Sequence, residues 1–166
     1  MSGLTVRAAR AADVRGIREL VRPLAEQRVL VSKDVVQYYE GLQQFRVAEV
    51  QGRLVGCGAL HVLWEDLGEI RTLAVDAAFK GHGIGSAILD QLVQDALALG
   101  LSRLFCLTFE TEFFGRHGFE PIEGQAVSPE VYAELLRSYD EGVAEFLDLE
   151  RVKPNTLGNT RMLRQL

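Results

Sequence analysis

Cysteine is scarce in this 166-residue chain: Cys57 and Cys106 are the only two, and just three histidines accompany them. With no paired spacing among these residues, the composition argues against a zinc site or a disulfide framework and for a cytosolic, cytoplasmic address. Long hydrophobic runs are missing as well. None approaches the roughly 18 residues of a membrane helix, and the opening MSGLTVRAARAADV has no extended apolar stretch behind a basic head, which speaks against a secretory signal. Positive charge is in deficit: 18 Lys and Arg against 23 Asp and Glu give −5, a poor match for nucleic acid or an anionic membrane. Any anionic ligand must be held by a local site. Repeats, charge blocks and low-complexity tracts are absent too.

What is present is the composition of a soluble globular protein, 48% hydrophobic and 25% charged. The length suits one domain over residues 1–166, with about 70% of the unfolded surface buried and no need of a covalent staple. The pattern predicts a strand over Leu4–Ala8, then a helix capped by Asp13 with Val14, Ile17, Leu20, Val21 and Leu24 at helical spacing. Pro23 is expected to bend or fray its end. Ser32 reads as the cap of a second helix over Val35, Val36, Tyr39 and Leu42. Phe45–Val50, the Gln51-Gly52 turn and Arg53–Leu63 spell a hairpin, and Gly68–Val75 a further strand. From Gly83 the period changes to 3.6, with Ile84, Ile88, Leu92 and Ala96 in one stripe, widened by Leu89, Val93 and Leu97 and closed by Gly100. Arg103–Phe109 reads as a central strand. Helices follow around Glu112–His117 and from Ser128-Pro129-Glu130 to Leu136. Glu145–Leu149 and Arg161–Leu166 read as strands. The order β-α-α-β-β-β-α-β-α-β with a mixed tail predicts an α/β protein whose central mixed sheet has helices on both faces.

Chemistry concentrates in Leu73-Ala-Val-Asp-Ala-Ala-Phe-Lys-Gly-His-Gly-Ile-Gly-Ser86. A strand runs into a glycine-rich turn that opens a long helix. Gly81, Gly83 and Gly85 let backbone approach a ligand, and the first helical N–H groups point outward, an arrangement that binds phosphate. A tight strand–helix turn without ligand would look similar. The dinucleotide fingerprint does not fit, because counting from Gly81 puts Ser86 where glycine is required and counting from Gly83 puts Ile88 there; no Walker lysine follows either.

Lys80-x-x-Gly83-x-Gly85 resembles the acetyl-coenzyme A signature of the GCN5-related N-acetyltransferases, in which Arg or Gln usually stands where Lys80 does. Phe113-Phe114-Gly115-Arg116-His117-Gly118-Phe119 resembles that family's later aromatic segment. Val21–Gln27 with Leu30-Val31, Val55–His61, Gly68–Val75, Leu104–Thr108 and Thr160–Leu163 are similar to the acetyltransferase domain of bacterial N-acetylglutamate synthases, most of all their short, stand-alone actinobacterial form. The resemblance implies the acyl-coenzyme A N-acyltransferase fold, an acetyl-CoA core over about residues 45–120, and a C-terminal part, 121–166, that completes sheet and substrate site. It implies transfer of acetyl from acetyl-CoA to the α-amino group of L-glutamate, the first step of arginine biosynthesis. Other readings stay open: another small amine such as glutamine, or a non-catalytic acetyl-CoA or amino-acid sensor. The longer synthases carry an arginine-binding kinase-like domain for which 166 residues leave no room, so arginine inhibition through such a domain is not expected.

Acetyl transfer needs a neutral amine, a place for an oxyanion and a proton for the departing thiolate. Glu69 is the expected base; strand alternation puts it on one face with Arg71, which would hold a substrate carboxylate. A plain ion pair on an exposed strand face is the alternative, and Glu110 and Glu112 are rival bases. The resemblance implies cofactor contacts from Leu73, Ala74, Val75, Lys80, Gly81, His82, Gly83, Ile84, Gly85, Ser86 and Phe114, with oxyanion-binding N–H groups at Leu73–Val75. The position of the family's tyrosine acid is Phe114, which has no proton to give; the resemblance places Thr111 where the longer synthases have a serine, which ranks it first as general acid, ahead of Thr108 or water. Two carboxylates on glutamate call for at least two cations or equivalent amide donors; each of Arg71, Lys33 and Arg161 could be a solvated surface charge, and the resemblance is what makes them candidates, with Asn159 as a neutral helper. His61 and His117, like His82, are expected to be structural or solvent-facing, Cys57 and Cys106 packed thiols, and Trp64 and Phe79 packing residues. No metal is expected. The partners are small molecules, and a homodimer stays open.

Overall fold

The computed structural model describes residues 3–27 and 33–166; Leu30, Val31 and Ser32, used above, lie outside the described residues. The chain forms two compact units, one of the described residues up to His61 with Ile70–Leu99, the other of Val62–Glu69 with Gly100–Leu166. Strands β3 (Arg53–Trp64) and β4 (Leu67–Val75) run through both. The first unit adds β1 (Leu4–Ala8), α1 (Val14–Glu26), α2 (Val35–Glu40), β2 (Phe45–Val50) and α3 (Ile84–Ala98). The second adds β5 (Arg103–Thr108), α4 (Thr111–Arg116), β6 (Glu120–Pro121), α5 (Pro129–Leu135), α6 (Glu141–Phe146), α7 (Lys153–Thr156) and β7 (Thr160–Gln165). The strand order β1-β2-β3-β4-β5-β7-β6, antiparallel at β1–β2–β3 and β5–β7–β6 and parallel at β4–β5, is the mixed sheet expected.

In the first unit the hairpin closes through Gln51 at φ 50° and Gly52 at φ 78°, two consecutive left-handed residues whose twist matches that of the flanking strands. Alternation along β3 then sorts the faces. Cys57 and Ala59 pack with Val14, Ile17 and Val21 of α1, Tyr38 of α2 and Phe45 and Val47 of β2. Gly56 and Gly58 turn the other way, toward α3. Helices therefore cover both faces of this unit. The α3 stripe is buried at Ile84, Ile88, Leu89, Leu92, Val93 and Ala96, whereas Leu97, expected to widen it, is 48% exposed.

Gly58 sets how closely β3 and α3 approach. A Cβ there would stand 2.9 Å from Ile88 Cγ2 and 3.0 Å from Leu73 and Leu92 side-chain carbons. Gly58→Val should therefore destabilise the fold by about 1–3 kcal/mol through overpacking, a fall in Tm on the order of 2–12 °C. Thermal melting followed by circular dichroism checks this; an unchanged Tm would mean that α3 can shift freely.

The expected cap of α1 is corrected. Asp13 precedes α1 but does not cap it: its carboxylate accepts from Arg10 N–H at 2.7 Å and from Arg7 at 2.7 and 3.0 Å, which holds its pKa below the usual carboxylate value. The second helix, opened by the Asp34–Gln37 capping box, buries Tyr38 in the core with Val21 and Phe45, leaving Val35, Val36 and Tyr39 40–57% exposed. Pro23 lies in the last turn of α1, which ends at Glu26.

The second unit builds its core from Leu63, Leu67, Phe105, Leu135, Val143, Phe146 and Leu147. Ser128 accepts from Val131 N–H and Pro129 starts α5, as read. Glu145–Leu149 is not a strand. Asp140 accepts from Val143 N–H at 2.9 Å and caps α6, and Val143, Phe146 and Leu147 fall at helical spacing on its buried side. The last strand is confirmed as β7, registered Phe105↔Leu163 and Leu107↔Arg161 against β5.

Candidate active site

The first unit presents the glycine loop. Asp76 accepts from Ala78 N–H at 2.9 Å and caps a short turn at Ala77–Phe79. Arg53 braces it, 2.9 Å from Asp76 and 5.1 Å above the Phe79 ring. Lys80 then leaves in an extended conformation. Gly81 and Gly83 adopt φ 83° and 77°, and a Cβ on either would meet nothing within 4 Å. Their conformation demands glycine while the space beside them is open. Gly83 caps α3, whose first helical bond runs from Ala87 N–H to Gly83 C=O; the N–H groups of Ile84, Gly85 and Ser86 precede it and point out of the helix. Amides and helix dipole together make a cradle that could hold an anionic group such as a phosphate. His82 lies exposed within it.

Upstream, β4 contains a feature the sequence does not announce. Thr72 is left-handed at φ 55°, costly for a β-branched residue at about 1–3 kcal/mol. Its carbonyl accepts from the Cys57 thiol at 3.4 Å, and its hydroxyl accepts from Lys33 Nζ at 3.4 Å. The left-handed residue interrupts the regular alternation between Arg71 and Leu73. Lys33 also stands 5.9 Å over the buried Tyr38 ring. With Arg18 and Arg22, one turn apart on α1, and Glu26, Val21 and Ala25, these residues line a cavity of about 280 Å³. Three cations against one carboxylate make it a place for an anion. Of these only Lys33 was read from sequence. Arg18 and Arg22 look there like the solvated side of an amphipathic helix.

The second unit holds Glu69, only 4% exposed, so it does not form part of an exposed ion-pair face. It registers with Phe105 of β5, and alternation puts it on the same face as Leu67, Phe105 and Leu163, the face covered by α5 and α6. Arg161 shares that face. Its guanidinium lies 5.0 Å from the Phe105 ring centre and 5.9 Å from that of Phe146. Burial lowers its pKa, opposed by the negative charges of Asp148 and Glu69. A carboxylate and an arginine thus face one another's fields across β5.

The remaining candidates fall as follows. Thr108 is buried and its hydroxyl accepts from Glu110 N–H at 2.8 Å. Thr111, Glu110 and Glu112 are exposed at the start of α4. Phe114 is buried, edge-on to Phe113 and Phe119. Asn159 is half-buried ahead of β7. The His117 Nδ1 donates to Phe113 C=O at 2.8 Å, and His61 Nδ1 lies 3.3 Å from Gln44. Cys57 and Cys106 are buried, with burial pushing the Cys57 thiol up to about 12 and the Cys106 thiol above its ordinary range. Among the described residues no cluster of three or more His, Cys, Asp or Glu could hold a metal ion.

Residues 15–119, which hold the kinked strand and the glycine cradle at the head of α3, match the acetyltransferase (GNAT) family. The chain belongs to that family. Within it, the chain is 61% identical over 161 residues to an amino-acid acetyltransferase of Mycobacterium tuberculosis, covering 95% of this chain and 92% of that protein. A crystal structure of a Mycobacterium tuberculosis protein in complex with CoA and NLQ superposes with a TM-score of 0.95 at 60% identity, over 98% of this chain and 99% of that one. N-acetylglutamate synthase from Neisseria gonorrhoeae, complexed with coenzyme A and N-acetyl-glutamate, gives a TM-score of 0.79 at 26% identity; all of this chain aligns with 36% of that longer one.

Proposed function

We propose that this protein is an amino-acid N-acetyltransferase that moves the acetyl group of acetyl-CoA to the α-amino group of L-glutamate, residues 1–166 acting as one catalytic domain. The observation that carries the reading is the 61% identity, over 95% of the chain, to an amino-acid acetyltransferase; the three-cation cavity at Arg18, Arg22 and Lys33 supports an acidic acceptor. The net charge of −5 favours small-molecule partners over nucleic acid or an anionic membrane, and two buried free thiols suit a reducing cytoplasm.

When bound, acetyl-CoA supplies an activated thioester. The amides of Gly83–Ser86, with Lys80, hold its phosphates, and N–H groups of Leu73–Val75 meet the oxygen on which negative charge develops. Glu69 removes a proton from the substrate ammonium, directly or through one water. Arg71, Lys33 and Arg161 take the two carboxylates of glutamate, Asn159 helps as a neutral donor, and Thr111 supplies the proton that the departing thiolate needs.

Thiol release measured across a panel of amines tests the assignment. L-Glutamate should give the highest kcat/KM; a higher value for L-glutamine or a non-amino-acid amine would overturn it, and acetyl-CoA binding without thiol release for any amine of the panel would point to a sensor. Within the proposed site, Arg71→Met should raise KM for L-glutamate on the order of ten- to a hundredfold, the value of a hydrogen bond to a charged group at about 1.5–3 kcal/mol. KM for acetyl-CoA should barely move. Equal increases in both constants would assign Arg71 to the fold rather than to the acceptor.

A further inference from the structure

We infer that Phe146 is a positioning residue for the acceptor amino acid: its ring and that of Phe105 form an aromatic shelf that fixes the direction of the Arg161 guanidinium. The inference rests on the proposal that Arg161 receives a substrate carboxylate. Three observations carry it. Arg161 is registered with Leu107, yet its guanidinium lies over the ring of Phe105, two residues back along β5, so the side chain is drawn along the strand rather than standing out from it. Phe146 closes the second side of that position. Its ring is fully buried and meets Phe105 edge to face, with centres 4.8 Å apart and planes at 87°, while Arg161 sits 5.9 Å from its centre. Finally, the carbonyl of Glu145, next to Phe146 on α6, accepts from Arg161 Nη1 at 3.4 Å, and that of Gly124 accepts from Nη2 at 3.3 Å.

Ring faces carry partial negative charge and attract a guanidinium. Two rings and two carbonyls therefore hold the fork in one orientation, leaving its remaining donors pre-organised for a carboxylate. Glu69, registered beside Phe105, and Asp148 are the anionic groups whose fields reach the guanidinium. Since Arg stays protonated throughout the physiological range, the shelf governs aim, not charge. The helix that supplies Phe146 is thus an acceptor-side element, although none of its side chains need touch substrate.

The test separates the face of the ring from its bulk. Phe146→Leu keeps an apolar side chain but removes the π face, and pentafluorophenylalanine at position 146 keeps the ring shape while reversing its quadrupole. Both should raise KM for L-glutamate about two- to thirtyfold, the range a cation–π contact spans, with KM for acetyl-CoA unchanged. The fluorinated protein should melt close to the parent, so it decides the matter even where Phe146→Leu folds poorly. An unchanged glutamate KM in the fluorinated protein, or parallel changes in both KM values, would overturn the inference. Arg161→Met distinguishes the two levels: if it leaves the glutamate KM intact, the assignment of Arg161 fails; if it raises KM and the Phe146 variants do not, only the shelf fails.

Discussion

Glu69→Gln should lower kcat for acetyl transfer to L-glutamate about 10²–10⁴-fold, the usual cost of losing a general base, while KM for acetyl-CoA stays near its original value. The amide keeps the shape and hydrogen-bonding capacity of the carboxylate but cannot accept the ammonium proton. Position strengthens the expectation. Glu69 is 4% exposed, sits beside Phe105 in the β4–β5 register, and lies within the field of Arg161, surroundings that take a carboxylate out of bulk water and give it a cationic neighbour. The deficit should narrow as pH rises, because a growing fraction of the acceptor is then already neutral. A pH–rate profile of the variant against the parent reads this directly. Near-normal turnover across the whole range would exclude Glu69 and transfer the role to Glu110, Glu112 or a chain of waters.

Gly83→Val should remove measurable acetyl-CoA binding while leaving the far-ultraviolet circular dichroism of the protein intact. At φ 77° a β-branched side chain is strained by sterics that cost an ordinary residue about 1–2 kcal/mol. The side chain would also fill the open space into which the amides of α3 point. The helix itself is secured farther along by Ile84, Ile88, Leu92 and Ala96, so the loss should be local. Calorimetric titration of acetyl-CoA checks it. An affinity equal to that of the parent, with normal circular dichroism, would show that the loop closes a strand–helix connection and holds no phosphate.

These two sites differ in how far they can be read from sequence. The loop is legible because glycines at positions 81, 83 and 85 and the switch to a 3.6-residue period are both local signals. The hairpin is legible for the same reason, since Gln51-Gly52 suits the left-handed pair that the turn requires. Thr72 is not, because nothing in its residue type favours a positive φ; tertiary contacts from Cys57 and Lys33 accompany that conformation. Phase is equally hidden in short helices. Six residues of α2 admit either Tyr38 or Val35, Val36 and Tyr39 as the inward side, and the tertiary packing of Tyr38 against Phe45 and Val21 takes the first. Reading α6 as a strand conceals Phe146, and with it the company that Arg161 keeps.

The depth of the two cysteines has a practical corollary for every turnover measurement above. Thiolates, not thiols, attack disulfide reagents, and Cys57 and Cys106 are 0% and 1% exposed, with burial holding both in the thiol form. An aromatic disulfide used to trap released coenzyme A should therefore register catalysis against a silent protein background. Once the substrates are withheld, the same reagent becomes a clock for the fold: each molecule can release two equivalents of chromophore, and only as fast as the structure opens to admit it.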